Sequence, residues 1–368
     1  MLFHMDANTH FYWLPVIRNS YVAVDFFFVL SGFVIASAYG NRLRIPQDAR
    51  RFALRRFGRL YPLHIAVLGI YIGIELGRLY FLHAPDAFTN NTSVPSLFAN
   101  LFLVQGFTPD HETWNYPAWS ISVELWANFA FAVLAVSLGR RFLACSLLIL
   151  AATGAFVASN GRLTLPVSPV EVDVLLDAMR SIFGFLLGTI TFALFDAVRR
   201  RGWKLFRAAE LLVLPLIVCA FGYTDVLPDL GPPLVFSVVV FLFAFEVGPL
   251  SALLKRPACL KLGASSYSIY LTHSLYLLLM TVIVYALARH LGLPPSISVG
   301  GDDLLTLGGR WTMDGAALLC VSAAIMGSVL TYRYIEEPAR IFFNRLSDSR
   351  IVGIPRIFPI RAASRARR

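Results

Sequence analysis

Apolar runs long enough to cross a bilayer recur along this chain, parted by short polar loops. A transmembrane helix needs about 20 apolar residues. Runs of that kind fall at about 21–40, 60–82, 119–138, 142–158, 174–196, 206–223, 232–249, 266–288 and 312–334. The stretch 95–107 is apolar but short, which predicts an interfacial or re-entrant piece. There is no internal repeat, and the only low-complexity stretch is the basic C-terminal tail.

The loops sort by charge. Arg42, Arg44, Arg50, Arg51, Arg55, Arg56 and Arg59 follow the first run, and Arg140 and Arg141 follow the third. Arg199, Arg200, Arg201, Lys204 and Arg207 lie between the fifth and sixth, and Lys255, Arg256 and Lys261 between the seventh and eighth. Nine more arginines, from Arg333 to Arg368, close the chain, so 26 of the 32 Lys and Arg residues lie on one side of the spans. The opposite loops carry Asp86, Asp110, Glu112, Glu171, Asp173, Asp225, Asp229, Asp302 and Asp303. Positive charge marks the cytoplasmic side, so the basic loops and the C-terminus face the cytoplasm.

Residues 1–20 then lie on the outer side or arrive from within the membrane. Met1–Met5 is too short to be a span or a signal peptide. The chain therefore reads as opening partway through a first helix, which with its missing part would bring the total to about ten. The expected fold is an all-α polytopic membrane protein of about ten transmembrane helices, the first one truncated. Residues 1–340 would form the membrane domain and 341–368 a basic cytoplasmic tail.

Composition agrees. Of 368 residues, 57% are hydrophobic and 15% charged, and the mean hydropathy is +0.66. A soluble chain is about half apolar and a quarter charged. The net charge of +10 does not mark a nucleic-acid binder, because the basic residues cluster in loops between apolar spans. Cys145, Cys219, Cys259 and Cys320 are far apart, with no metal-ligand spacing, and read as free thiols.

Against this background a few polar groups stand inside the spans, where ionisable residues are costly and functional by default. Arg55 or Arg56 shares a helical face with Arg59 just before a span. Guanidinium groups grip phosphates in a fork, and the alternative reading is a lipid-headgroup anchor. Glu124 enters its span from outside behind Trp119, Ser120 and Ser122, where the bland reading is a helix-packing hydrogen bond. Asp25 lies at a similar depth, with a structural role as the alternative. His4 falls at that depth if a helix precedes it, and a histidine near carboxylates is a natural general base. Tyr267, Tyr270 and His273 share a face that would line a channel or simply pack. Glu336, Glu337 and Arg340 precede or follow Pro338 and read as interfacial ion pairs. No nucleophile elbow, HExxH, P-loop or dinucleotide fingerprint in context occurs.

The segments FFFVLSGF (26–33), RRFGRLYP (55–62), WSISVE (119–124), SYSIYLTH (266–273) and YRYIEEP (332–338) resemble, in order and spacing, those of the integral-membrane acyltransferase 3 family, which includes bacterial glycan O-acetyltransferases. The resemblance runs from His4 to about Arg340. It implies ten transmembrane helices and transfer of an acyl group from cytoplasmic acyl-CoA to an acceptor hydroxyl, usually on a sugar. It maps the family's donor-phosphate arginines onto Arg56 and Arg59, its first-helix histidine onto His4 and its motif glutamate onto Glu124. An arginine that the family pattern places eleven residues before that histidine falls upstream of Met1.

The expected chemistry follows. Arg56 and Arg59, with Arg55, would hold acetyl-CoA or another acyl-CoA at the cytoplasmic face of the inner membrane. Its arm would run up past Ser120, Ser122, Tyr267 and His273. His4 would take the hydroxyl proton, with Glu124 or Asp25 orienting its ring, or would carry the acyl group. No metal and no nucleic acid are expected. Membrane lipid, a hydroxylated acceptor and polysaccharide-synthesis proteins are the expected partners. The acceptor stays open among a surface polysaccharide, an exported oligosaccharide, a lipid-linked intermediate and a macrolide-like molecule. A transporter or flippase of a glycan or lipid-linked intermediate is the competing class, but it predicts paired broken helices and repeat symmetry, and neither is visible.

Overall fold

The computed structural model describes residues 1–40, 42–109, 113–160, 170–202, 204–205, 207–222 and 229–348. The final twenty residues of the expected basic tail, and the outer-loop residues Asp110, Glu112 and Asp225, lie outside the described residues. The principal helices are α1 (Ala23–Tyr39), α2 (Pro46–Phe81), α3 (Ala118–Leu138), α4 (Phe142–Asn160), α5 (Val170–Arg200), α6 (Val213–Gly222), α7 (Gly231–Phe243), α8 (Ser266–Leu291), α9 (Arg310–Thr331) and α10 (Glu337–Asp348).

Helices coincide with the apolar runs. Among the described residues, six stretches are long and apolar enough to cross a membrane: Ser20–Tyr39, Pro46–Phe81, Ala118–Asn160, Val174–Arg200, Ser266–Leu291 and Arg310–Asp348. The third holds both α3 and α4, joined at Gly139–Arg141. The shorter α7 is apolar throughout. The chain is thus an all-helical membrane protein in its main body. Leu2–His4 forms a single 3₁₀ turn. Large apolar side chains on the outer faces, such as Leu148, Leu318 and Leu319 at 70–74% exposure, would be untenable in water at this density and suit lipid.

Local sequence accounts for the helix ends and crossings. Pro46 opens α2, where its missing N–H costs nothing, and the Asp48 carboxylate accepts from the backbone N–H groups of Arg44 and Ile45. The α1–α5 crossing depends on glycine. A methyl group at Gly32 would sit 1.9 Å from the Phe185 carbonyl oxygen, and one at Gly188 would sit 1.9 Å from that of Val29. Small residues that let backbones touch are the common device for helix association in lipid.

One feature departs from the all-α expectation. Ser296–Val299 (β1) and Asp302–Leu305 (β2) form an antiparallel hairpin between α8 and α9. Its turn is Gly300-Gly301, both at positive φ (65° and 96°), the geometry of a two-residue hairpin loop. The hairpin clasps the N-terminal segment: Asn8 N–H donates to Leu305 O, Leu305 N–H donates to Asp6 O, and the Tyr12 hydroxyl donates to the Asp302 carboxylate at 3.0 Å. That clasp sets where His4 stands.

The short stretch 95–107 behaves as an insertion against α3. Val94–Leu101 is helical, and the Leu103 carbonyl accepts from both Ser122 Oγ (2.6 Å) and Trp126 Nε1 (2.8 Å).

Candidate active site

Helices α1, α2, α3 and α8 surround a cavity of about 180 Å³. Ser31, Arg56, Arg59, Ser120, Glu124, Tyr267 and Tyr270 supply its polar lining, and Phe27, Phe28 and Leu60 part of its apolar wall. Four of the five sequence motifs therefore meet at one place.

Arg56 is partly buried, with its guanidinium 5.5 Å from the Phe52 ring centroid and 5.9 Å from that of Tyr39. Arg59 is exposed at the cavity's edge. Among the described residues, no carboxylate stands within ion-pair distance of either. Glu124 shares the cavity and accepts from Ser31 Oγ at 3.0 Å. Two cations to one carboxylate leave net positive charge in a low-dielectric space, which favours an anion.

Arg55 behaves differently from its neighbours. Its Nε donates to Ser347 Oγ (2.8 Å) and its Nη2 to the Asp348 carboxylate (2.5 Å), both on α10. Gly58, one turn on, packs against the Phe343 ring of the same helix. Arg55 therefore docks α10 onto α2 and is not among the residues that line the cavity.

The upper wall is built by α3 and α8. The Tyr270 hydroxyl donates to the Pro117 carbonyl (3.0 Å) and lies 2.7 Å from Ser120 Oγ. Ser122 stands apart from the cavity, because its hydroxyl is committed to Leu103 O and it accepts from Gly106 N–H. The expectation that Ser122 lines the channel gives way to a role in fastening the 94–107 insertion.

Beyond Tyr270 the rings continue toward the N-terminal segment. The Phe27–Tyr270 and Tyr270–His273 centroids are 5.9 and 5.8 Å apart. His273 stacks on His4 at 5.6 Å with 30° between planes. Tyr116 lies 4.7 Å from His4 and meets His273 edge-on at 6.1 Å. Phe3 closes the cluster at 4.8 Å from His4. The structure brings His4 and His273 together and leads from them to the arginine cavity.

It does not bring either carboxylate to His4. Among the described residues, no hydrogen bond or ion pair joins His4 to Glu124 or Asp25. Asp25 accepts instead from Arg180 Nε at 3.0 Å, with both side chains buried, and Asp177 lies 3.9 Å from the same guanidinium. An apolar bundle tolerates a carboxylate at this depth only when it is neutralised, and Arg180 does so. The expected carboxylate–histidine triad is replaced by a histidine–histidine–tyrosine cluster.

Sequence reasoning missed Arg180, Tyr116 and Glu336. Glu336 is buried and accepts from Ser268 Oγ at 2.7 Å. It ends a π-helical turn, Tyr332–Glu336, a distortion that often accompanies functional sites. Arg180 lies inside the run 174–196, where its charge alone was a signal, and Tyr116 lies in the loop before α3, where no motif marks it. For Glu336 the run YRYIEEP was visible, but its inward side was not.

The bundle thus holds a positively charged cavity with a histidine pair packed beyond its Tyr270 wall, and sequence comparison supplies the class. Residues 2–333 match the model of a family described as an acyltransferase domain, so the chain belongs to that family and is an acyltransferase. It is 26% identical over 352 residues to a protein named acyltransferase MdmB from Streptomyces mycarofaciens, covering 88% of this chain and 82% of that protein. It is 35% identical over 126 residues to a protein named protein 2 in picA locus from Rhizobium radiobacter, covering 31% of this chain and 65% of that one. No solved structure matches.

Proposed function

We infer that this acyltransferase moves an acetyl group from cytoplasmic acetyl-CoA to a hydroxyl of a sugar or glycan, within the inner membrane and with about ten spans in all. The observation that carries this reading is a cavity holding two arginines that have no ion-pair partner among the described residues, lined also by Ser31, Ser120, Glu124 and Tyr270, with His273 and then His4 packed on from the Tyr270 ring. Arg56 and Arg59 offer the donor's phosphates the planar, charge-assisted contacts that such groups prefer. A volume of about 180 Å³ suits a slender arm and leaves a bulky nucleotide at the arginine end.

His4 acts at the far end. Its imidazole takes the proton of the acceptor hydroxyl as the oxygen attacks the thioester carbonyl, a step in which a placed base contributes about 10²–10⁴-fold. Tyr116 and Phe3 fix the ring's orientation by packing on it. Glu124 moderates the positive field around the donor instead of steering His4. Labelled acetyl-CoA supplied to inverted membrane vesicles, with the label followed into a glycan fraction, tests the reading. Label should reach the glycan in vesicles carrying the protein, and its absence with folded protein and acceptor present would overturn the donor or the acceptor class.

A further inference from the structure

Resting on that reading, the fate of the proton remains to be assigned. Acyl transfer breaks the acceptor O–H bond, forms a bond from that oxygen to the thioester carbonyl carbon and breaks the C–S bond. The sulfur leaves with the electron pair. One proton must therefore travel from the acceptor oxygen to the sulfur. Oxygen and sulfur share one carbonyl carbon during the transfer, so a group that passes the proton between them must stand close beside His4, on the side of the cavity-lining Tyr270.

His273 occupies that ground. It is 2% exposed, stacked on His4 at 5.6 Å and 5.8 Å from the Tyr270 ring that lines the cavity. Its Nδ1 lies 2.5 Å from the Tyr270 carbonyl oxygen. A carbonyl oxygen only accepts, so Nδ1 carries the hydrogen and Nε2 holds the free lone pair. Among the described residues Nε2 is buried with no hydrogen-bond partner. A buried polar atom without a partner is costly, and in a native site this calls for a use. The backbone bond at Nδ1 also steadies an imidazolium, because its donation strengthens when the ring is charged.

We propose that His273 is the proton relay of the transfer: its Nε2 receives the proton that His4 removes from the acceptor hydroxyl and delivers it to the departing sulfur. The electron pairs balance without any further reactant. The hydroxyl proton ends on the thiol, and both imidazoles return to their starting form.

His273→Asn separates this role from packing, because an asparagine amide nitrogen replaces Nδ1 as donor to the Tyr270 carbonyl while Nε2 is deleted. Turnover is measured for wild type, His273→Asn and His4→Ala with two donors: acetyl-CoA, and an acetyl thioester of a nitrothiophenol, whose thiolate leaves without protonation. His273→Asn should lose about 10²-fold or more with acetyl-CoA and recover most of that loss, relative to wild type, with the activated thioester. His4→Ala should lose activity with both. Equal losses for His273→Asn on both donors, or full turnover with acetyl-CoA while His4→Ala is inactive, would overturn the relay and leave the reading of His4 intact. Full activity in His4→Ala would overturn both.

Discussion

Arg180→Met removes the counter-ion of a carboxylate that the motif pattern assigned to chemistry and the structure assigns to the bundle. Asp25 is 2% exposed and Arg180 6%, joined at 3.0 Å between α1 and α5. Breaking such a pair from one side leaves an uncompensated charge and costs about 3–5 kcal/mol. At roughly 2 °C per kcal/mol for a large chain, the unfolding midpoint in detergent should fall by about 6–10 °C. Asp25→Asn leaves Arg180 with the longer 3.9 Å contact to Asp177 and the more distant Asp229 and should fall by a similar amount. The double variant Asp25→Asn/Arg180→Met strands neither charge, so it should recover much of the loss, with a coupling of about 1–3 kcal/mol in the double-mutant cycle. Thermal unfolding of the purified protein, read beside acetyl transfer at low temperature, measures both. An unchanged midpoint with abolished transfer in Asp25→Asn would refute the reasoning and return Asp25 to the catalytic set. Strictly additive losses would refute the pairing.

Other outcomes follow from the same geometry. Arg56→Ala and Arg59→Ala should each raise the KM for acetyl-CoA about 10-fold or more, since a hydrogen bond to a charged group contributes about 1.5–3 kcal/mol, while Arg55→Ala should leave KM unchanged and loosen α10, seen as faster proteolysis near residue 348. Gly188→Leu should abolish the monodisperse folded species in size-exclusion chromatography, because the α1–α5 backbones already meet where its Cβ would stand. Ser122→Ala should lower the unfolding midpoint by a few degrees without changing KM, since it removes one of the two donors to the Leu103 carbonyl and the acceptor of the Gly106 N–H while leaving the cavity lining intact.

Much of this site is written in the chain, and the limits are instructive. Arg56, Arg59, Ser120, Glu124 and Tyr267 were all picked out by polar groups inside apolar runs, and all line one cavity. That works because a bilayer makes each such group expensive, so its presence alone is a signal. Partnership is not written in the same way. Asp25 and Glu124 share a depth with His4 but point to Arg180 and Ser31, because depth along a helix says nothing about rotation around it. Arg55 differs from Arg56 by one residue, about 100° of helical turn, and that rotation sends one to α10 and the other to the cavity. The Gly300-Gly301 turn had a legible hairpin signal, yet it sits between two long helices where loop was the simpler reading. Its clasp on residues 6–12 places His4 through backbone pairing across nearly 300 positions of chain, which no local pattern announces.

Everything in the proposed transfer turns on His4 acting on a donor held by Arg56 and Arg59. Transfer of radiolabelled acetyl from acetyl-CoA in inverted vesicles, comparing wild type with His4→Ala at matched protein levels, tests it most directly. Label should appear in a glycan fraction from wild type and fall by at least about 10²-fold in His4→Ala. Wild-type rates from His4→Ala would contradict it.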